Sequence, residues 1–232
     1  NKNSNLYLKY LLSIVIISTI SLFLIMQPDI GQTLLVVFSW GVLIFTSGIN
    51  IFFLLVFAIF LSILLTFLII YVPRFDYIQG RIFSFFNRDT GAHNFQSDKA
   101  IDSIVSGGFF GKGIGEGTLK NRVPEAHTDY IISVISEEFG VIAIMLILLL
   151  FLIFIYRVLK KVNYEKNEKA KLVLIGCVSL ILMQVTIHVG VNIRLFPTTG
   201  MTLPFLSYGG SSIVSISILS GIILNLTKRK ID

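Results

Sequence analysis

The stretch VIAIMLILLLFLIFIYRV, residues Val141–Val158, carries one charged side chain, Arg157, close to its end. A helix of about 20 apolar residues crosses roughly 30 Å of bilayer hydrocarbon, and this stretch approaches that length. Five other stretches qualify or nearly qualify as spans: Tyr10–Met26, Ile30–Ser47, Ile51–Val72, Leu172–Val191 and Ser211–Leu226. The sequence therefore predicts an all-α fold, a polytopic transmembrane helical bundle of six helices in a single membrane domain, residues 1–232.

The composition excludes an ordinary water-soluble domain. The 232 residues are 54% hydrophobic and 14% charged, whereas soluble domains average about 25% charged residues. The net charge of +6 comes from basic residues gathered where the apolar stretches end, which argues against nucleic-acid binding. The single cysteine, Cys177, lies within an apolar stretch and is interpreted as a small packing residue.

The polar segments differ in charge. The longest, residues 73–138, is a predicted outer loop, and its part up to Asp129 carries seven basic and seven acidic residues. A second predicted outer segment covers residues 193–210. The termini and the turn after the fourth apolar stretch are instead strongly basic, with Lys2, Lys9, Arg157, Lys160, Lys161, Lys166, Lys169, Lys171, Lys228, Arg229 and Lys230. The positive-inside rule then predicts cytoplasmic termini and two extracytoplasmic outer segments.

The long loop contains a glycine-rich run, Gly111-Lys-Gly-Ile-Gly-Glu-Gly117. It fails the P-loop pattern, because Gly113 follows Lys112 where Ser or Thr is required. Tight backbone turns are the favoured interpretation. Backbone amides that contact a lipid pyrophosphate are the alternative.

Two sets of polar residues are candidates for chemistry. Thr128 is predicted to cap a helix that begins near Asp129, whose carboxylate either neutralises the helix end or acts as a general base with a raised pKa. In the fifth apolar stretch, Gln184, His188 and Asn192 share one helix face. They either bond to neighbouring helices or line a polar cavity that opens outward, and the cavity is the preferred interpretation.

Three stretches together resemble one family: Gln27–Gly31, Val123–Tyr130 with Glu137–Gly140, and Phe196–Ser212. They are similar to the SEDS family (shape, elongation, division and sporulation) of bacterial cell-wall polymerases, and more similar to its division branch, FtsW, than to its rod-elongation branch, RodA. The family has about ten helices, so the chain corresponds to the C-terminal six. Because it begins with Asn and the family's N-terminal helices are missing, the chain is expected to be a fragment or a processed product.

The resemblance implies a peptidoglycan glycosyltransferase that polymerises lipid II at the outer face of the bacterial cytoplasmic (inner) membrane during cell division. Asp129 matches the family's essential aspartate and is assigned as the catalytic base. Positive charge or a divalent cation, Mg²⁺ or Mn²⁺, would stabilise the departing pyrophosphate, and no nucleotide is needed. No metal ligand is assigned.

The other implied residues bind substrate. Glu125, His127 and Thr128 would shape the site around Asp129, and Gln96 and Ser97 also match the family pattern. Arg81 and Lys112, with Arg74, Lys120 and Arg122, are candidates for the pyrophosphate. The glycan cavity would be walled by Gln184, His188, Asn192, Pro197, Thr198, Gly200, Pro204, Ser207, Tyr208, Gly209 and Gly210.

The expected partners are lipid II and the growing glycan strand, a class B penicillin-binding protein that acts as transpeptidase, other division proteins and membrane lipids. Three alternatives stay open: a lipid II flippase, a non-catalytic scaffold of the division machinery, and a polymerase of the rod-elongation branch. A flippase needs a polar route that continues to the cytoplasmic face. The polar residues concentrate at the outer ends of the apolar stretches, which favours the enzyme.

Overall fold

A computed structural model describes residues 2–86 and 92–228. Within these ranges the longer regular elements are helices: α1 (Lys2–Met26), α2 (Ile30–Thr46), α3 (Ile51–Tyr71), α4 (Asp76–Phe86), α5 (Ala92–Gly107), α6 (Ile131–Tyr164), α7 (Glu168–Asn192) and α8 (Gly210–Thr227). Short 3₁₀ turns occupy Pro73–Phe75 and Leu119–Arg122. The prediction of an all-α fold is confirmed for this part of the chain. Arg229 and Lys230, which contributed to the predicted orientation, lie outside the described residues.

Each of the six apolar stretches corresponds to one of the six longer helices, although α1 and α6 begin earlier in the chain. Within the described ranges, four segments are long and apolar enough to cross a bilayer: Leu8–Met26, Ile131–Tyr164, Glu168–Asn192 and Gly210–Thr227. Helix α2 is a shorter apolar helix of 17 residues. Helix α3 has 21 residues and no charged side chain. The chain is a multi-pass membrane protein.

Helix α7 contributes to two apolar cores. One core joins it to α6 and α8 through residues such as Ile155, Ile181 and Ile216. The other joins its C-terminal half to α2, α5 and the second outer segment, with Ile187 and Met201 among its members. Many apolar side chains on the remaining helix faces are exposed, as lipid-facing side chains of a membrane protein are.

The long outer segment differs from the predicted loop. Residues 73–138 contain α4, α5 and the first eight residues of α6, which begins at Ile131 rather than at Val141. The apolar pattern places the boundary too late because the acidic pair Glu137-Glu138 interrupts it. The helix continues through that pair and is broken at Gly140, which has φ 80° and ψ 173°.

The glycine-rich segment bonds to the peptide groups at this break. The amide of Lys112 donates to the carbonyl of Glu137 (2.8 Å), and the amide of Gly113 donates to that of Glu138 (3.0 Å). On the other side of the break, the amide of Val141 donates to the carbonyl of residue 108 (3.0 Å). Unpaired peptide groups are costly when buried, so the segment stabilises the interrupted helix. Gly111 and Gly113 have positive φ values of 77° and 113°, and a Cβ on Gly111 would lie 2.1 Å from the carbonyl oxygen of Glu138, which agrees with the interpretation of tight backbone turns.

Candidate functional site

Asp129 lies in a tight turn that leads into α6. The amides of Thr128 and Asp129 both donate to the carbonyl of Glu125, at 3.1 Å each, and Glu125 has a positive φ of 54°. The predicted helix cap at Thr128 is wrong: α6 begins at Ile131 with Tyr130 at its N-cap. The Thr128 hydroxyl donates instead to the backbone carbonyl and the carboxylate of Glu125, because the turn brings these acceptors within 3.1 Å.

Three consecutive carbonyls of this turn, those of residues 127, 128 and 129, accept hydrogen bonds from distant parts of the chain. The donors are the Tyr208 amide (3.0 Å), the Ser207 hydroxyl (2.6 Å) and the Asn192 side-chain amide (3.0 Å), in that order. A backbone held at successive residues has little freedom to rotate. The position of the Asp129 side chain is therefore set by α7 and by the second outer segment.

The polar face of α7 fixes the same outer segment. Gln184 donates to the carbonyl of Thr202 (2.9 Å). His188 Nδ1 lies 2.6 Å from the carbonyl of Met201, and since a carbonyl can only accept, Nδ1 carries the proton. Gln184, His188 and Asn192 are all buried and bonded to backbone. The prediction that they line an open cavity is therefore wrong. Gln184 and His188 bond to the segment after α7, whereas Asn192 bonds to the turn at Asp129.

An exposed rim remains around the half-buried Asp129. Glu125, His127, Gly200 and Tyr208 are exposed, and a Cβ placed on Gly200 would lie 3.6 Å from Asp129 Oδ2. Two other predicted wall residues, Pro204 and Ser207, are buried beneath this surface, while Gly209 is half-buried and Gly210 is exposed at the start of α8.

The surroundings raise the pKa of Asp129. Partial burial is the largest cause, because it disfavours the charged form, and the nearby charge of Glu125 acts in the same direction. The nearby Thr128 hydroxyl and the charge of Arg81 lower the pKa by smaller amounts. A carboxylate with a raised pKa is a stronger proton acceptor once it has ionised.

The predicted cations lie in different environments. Arg81 donates to the carbonyl of Thr198 (3.1 Å) beside a narrow cleft that Ser97 and Pro197 also line, and Gln96 is half-buried one residue away. Lys112 pairs with Glu137 at 3.5 Å. Arg122 is exposed. The side chains of Arg74 and Lys120 lie outside the described part of the structure.

Sequence reasoning missed two polar contacts that join the elements of the outer region. Glu137 is fully buried and accepts hydrogen bonds from the Ser103 hydroxyl (3.1 Å) and the Leu119 amide (2.9 Å), besides its contact with Lys112. Arg194, just after α7, pairs with Asp98 of α5. The sequence signal for the first contact was Glu137, an acidic residue next to an apolar stretch. Burying such a residue in a membrane protein costs free energy unless its charge is paired.

The sequence is similar to a family of known bacterial proteins. The family model for FtsW, RodA and SpoVE, described as cell cycle proteins, matches residues 1–231. A probable peptidoglycan glycosyltransferase FtsW of Caulobacter vibrioides is 33% identical over 207 residues, 89% of the chain and 52% of the relative. An Enterococcus hirae protein of the same name is 32% identical over 231 residues (94% and 58%), and the Bacillus subtilis stage V sporulation protein E is 33% identical over 211 residues (89% and 57%). The chain spans a little over half the length of these relatives.

Two solved structures share the fold. One belongs to a study of how a peptidoglycan synthase complex coordinates polymerization and crosslinking, with a TM-score of 0.73 and 26% identity over 94% of this chain and 60% of that one. The other is a crystal structure of a variant of the Thermus thermophilus rod shape determining protein RodA, with a TM-score of 0.59 and 27% identity over 94% and 55%.

Proposed function

The chain belongs to the FtsW/RodA/SpoVE family of cell cycle proteins, and on that premise we propose that it is the C-terminal part of a peptidoglycan glycosyltransferase that polymerises lipid II during cell division. The observation that carries the proposal is the half-buried carboxylate of Asp129, which lies on a fixed turn beside exposed residues. Relatives named peptidoglycan glycosyltransferase support it, at 32–33% identity over most of the chain.

In the proposed reaction, Asp129 accepts the proton of a sugar 4-hydroxyl. The hydroxyl oxygen then attacks the anomeric carbon of a second lipid-linked sugar. A new glycosidic C–O bond forms, and the bond from the anomeric carbon to the pyrophosphate oxygen breaks, so the lipid pyrophosphate leaves with the electron pair. The rigid turn keeps the carboxylate oriented towards the hydroxyl, which is a condition for efficient proton transfer.

Charge at the leaving group is the second requirement of this reaction. Arg81 is the favoured residue, because it lies close enough for its charge to act on Asp129 and it anchors the segment at Thr198. Lys112 is less suited, since it already pairs with Glu137. In the part of the chain that the structure describes, three or more His, Cys, Asp or Glu side chains do not come together in a group that could hold a metal ion, so we assign no step to Mg²⁺ or Mn²⁺.

The same proposal covers location and partners. The balanced charge of the outer segments against the basic termini supports an extracytoplasmic site and cytoplasmic ends in the bacterial cytoplasmic membrane. The similarity to a chain from a peptidoglycan synthase complex that polymerises and crosslinks supports a transpeptidase of the penicillin-binding class as partner. A flippase, a scaffold and a rod-elongation polymerase are the alternatives.

The test is polymerisation of purified lipid II by the complete protein with its transpeptidase, followed by separation of glycan strands on a gel. Strands that lengthen with time support the proposal. A protein that moves labelled lipid II across vesicles without making strands would indicate the flippase, and one that only recruits its partners would indicate the scaffold.

The pH dependence of polymerisation should follow the charges around Asp129. The base is active when ionised and its pKa is raised, so the rate should fall on acidification at a pH above that expected for a free carboxyl group. Glu125→Gln removes a repelling charge and should move this acid limb to lower pH, whereas Arg81→Gln should move it to higher pH. Rate profiles of both variants check this. Shifts in the same direction would contradict it.

Ser207→Ala tests whether the hydrogen bond to residue 128 positions Asp129. The lost hydrogen bond stabilises the orientation of the turn by about 1–1.5 kcal/mol. Its removal should lower kcat roughly tenfold, while KM changes little. Ser215→Ala is the matched control, because Ser215 is exposed on α8 and bonds to Ser211 of its own helix. An equal loss in both variants, or a loss explained by the folded fraction alone, would argue against a positioning role.

A further inference from the structure

Two adjacent phenylalanines stand out in the segment that joins α5 to the rest of the outer region. The exposed fractions of Phe109 and Phe110 are 73% and 84%. They belong to the segment Gly107–Gly113, which we call the glycine hairpin. Large apolar side chains this exposed need a partner or an apolar solvent.

The hydrogen bonds of the glycine hairpin set its depth. The amides of Val141 and Ile142 donate to the carbonyls of residues 108 (3.0 Å) and 109 (3.4 Å). From Val141, α6 continues to Tyr156 and Arg157, both exposed, where an aromatic and a basic residue mark the far membrane interface. Fifteen residue steps at ~1.5 Å give about 22 Å between Val141 and Tyr156. The hydrocarbon is roughly 30 Å thick, which exceeds this distance. Residues 108 and 109 therefore lie inside the hydrocarbon, close to its boundary on the Asp129 side.

Several peptide groups of the hairpin, on both sides of the phenylalanine pair, meet the condition for non-helical backbone at that depth. Such backbone is tolerated in a membrane only when its polar groups are satisfied by the protein. The amides of Gly111, Lys112 and Gly113 donate to the carbonyls of residues 107, 137 and 138 at 2.8–3.0 Å. The one charged side chain, that of Lys112, is directed to Glu137 rather than away from the protein.

We propose that the glycine hairpin is a re-entrant segment that inserts Phe109 and Phe110 between the acyl chains of the bilayer leaflet on the Asp129 side. Acyl chains are the occupant the structure favours, because the exposed pair continues the apolar surface of α6. That surface is formed by Ile142, Met145 and Leu146, which are 49–64% exposed. The insertion would hold the turn before α6 at a constant height above the membrane, since the hairpin bonds to both sides of the break at Gly140.

The test places an environment-sensitive fluorophore on single cysteines in the complete protein, with Cys177 replaced by serine, in vesicles that contain lipids brominated near the headgroup end of the acyl chain. A label at Phe110→Cys should show blue-shifted emission and lose most of its intensity to the brominated lipid. Glu116→Cys, in the exposed turn beyond the hairpin, is the aqueous control and should not be quenched. Leu149→Cys, exposed in the middle of α6, is the control for deep hydrocarbon and should respond more to bromines placed further down the chain.

A label at position 110 that behaves like the one at position 116 would overturn the proposal. Blue-shifted emission without quenching would also overturn it, because a protein segment would then cover the pair. Unmodified protein supplies a second measurement that does not depend on the variants: a lipid with a photoreactive group on its acyl chain should attach to the peptide containing Phe109 and Phe110. Attachment confined to other peptides would contradict insertion, and a photoreactive polyprenyl chain that labels the pair in place of bilayer lipid would assign the surface to the substrate.

Discussion

Replacing Asp129 by asparagine is expected to abolish visible glycan polymerisation. Asparagine has almost the same shape, and the three hydrogen bonds that hold this turn go to backbone carbonyls, so the variant should keep the geometry of the site. What it loses is the ability to accept a proton. Removal of a general base typically lowers the rate by about 10²–10⁴, which corresponds to roughly 3–5 kcal/mol in the barrier.

The measurement is the initial rate of lipid II consumption by the complete protein, for the wild type and for Asp129→Asn. Asp102→Asn is the matched control, because Asp102 is an exposed carboxylate on α5 that pairs with Lys99. It should polymerise at the wild-type rate. If the folded Asp129 variant keeps more than about a tenth of the activity, Asp129 is not the base.

Gly140→Ala is expected to produce the largest loss of stability. At φ 80° and ψ 173°, Gly140 occupies a region of backbone conformation that is essentially restricted to glycine. A Cβ there would also lie 2.1 Å from the carbonyl oxygen of Phe109, far inside contact distance. Backbone strain and overpacking each contribute about 1–3 kcal/mol, so the free energy of unfolding should fall by roughly 2–6 kcal/mol.

Thermal unfolding in detergent, together with the fraction of protein that folds, measures this effect. Gly221→Ala is the control, since Gly221 lies within α8 and an added Cβ would meet no atom within 4 Å. Alanine favours helix there and should leave stability unchanged or slightly higher. Equal stability of the two variants would mean that the hairpin and the break at Gly140 do not hold the outer region together.

The sequence was sufficient for the helices that cross the membrane, and its motif singled out Asp129 as the candidate for the centre of the site. Long apolar stretches have few structural solutions in a bilayer, so the positions of α1, α2, α3, α7 and α8 follow from length and composition. The start of α6 could not be read in this way, because Glu137 looks like the end of a span. Its burial against Ser103 and Leu119 depends on contacts with residues far away in the chain.

The roles of the polar residues on α7 also depended on the fold. Spacing alone placed Gln184, His188 and Asn192 on one face, and two interpretations remained open. The structure shows each of them bonded to a backbone carbonyl. A buried donor must find an acceptor, and which acceptor is nearest depends on how the segment after α7 returns across the helix ends.

The sequence by itself determined that this chain crosses a membrane repeatedly, and it predicted that two outer segments share one side and that Asp129 is the residue to examine. These conclusions rest on local properties, namely the free energy of transferring side chains to hydrocarbon and a motif of adjacent residues. Only the tertiary structure decided that the glycine run completes a broken helix, that Lys112 pairs with Glu137, and that residues 127–129 are held by Ser207, Tyr208 and Asn192. Those contacts join residues 25 to 81 positions apart, and a hydrogen bond over such a separation exists only once the chain has folded.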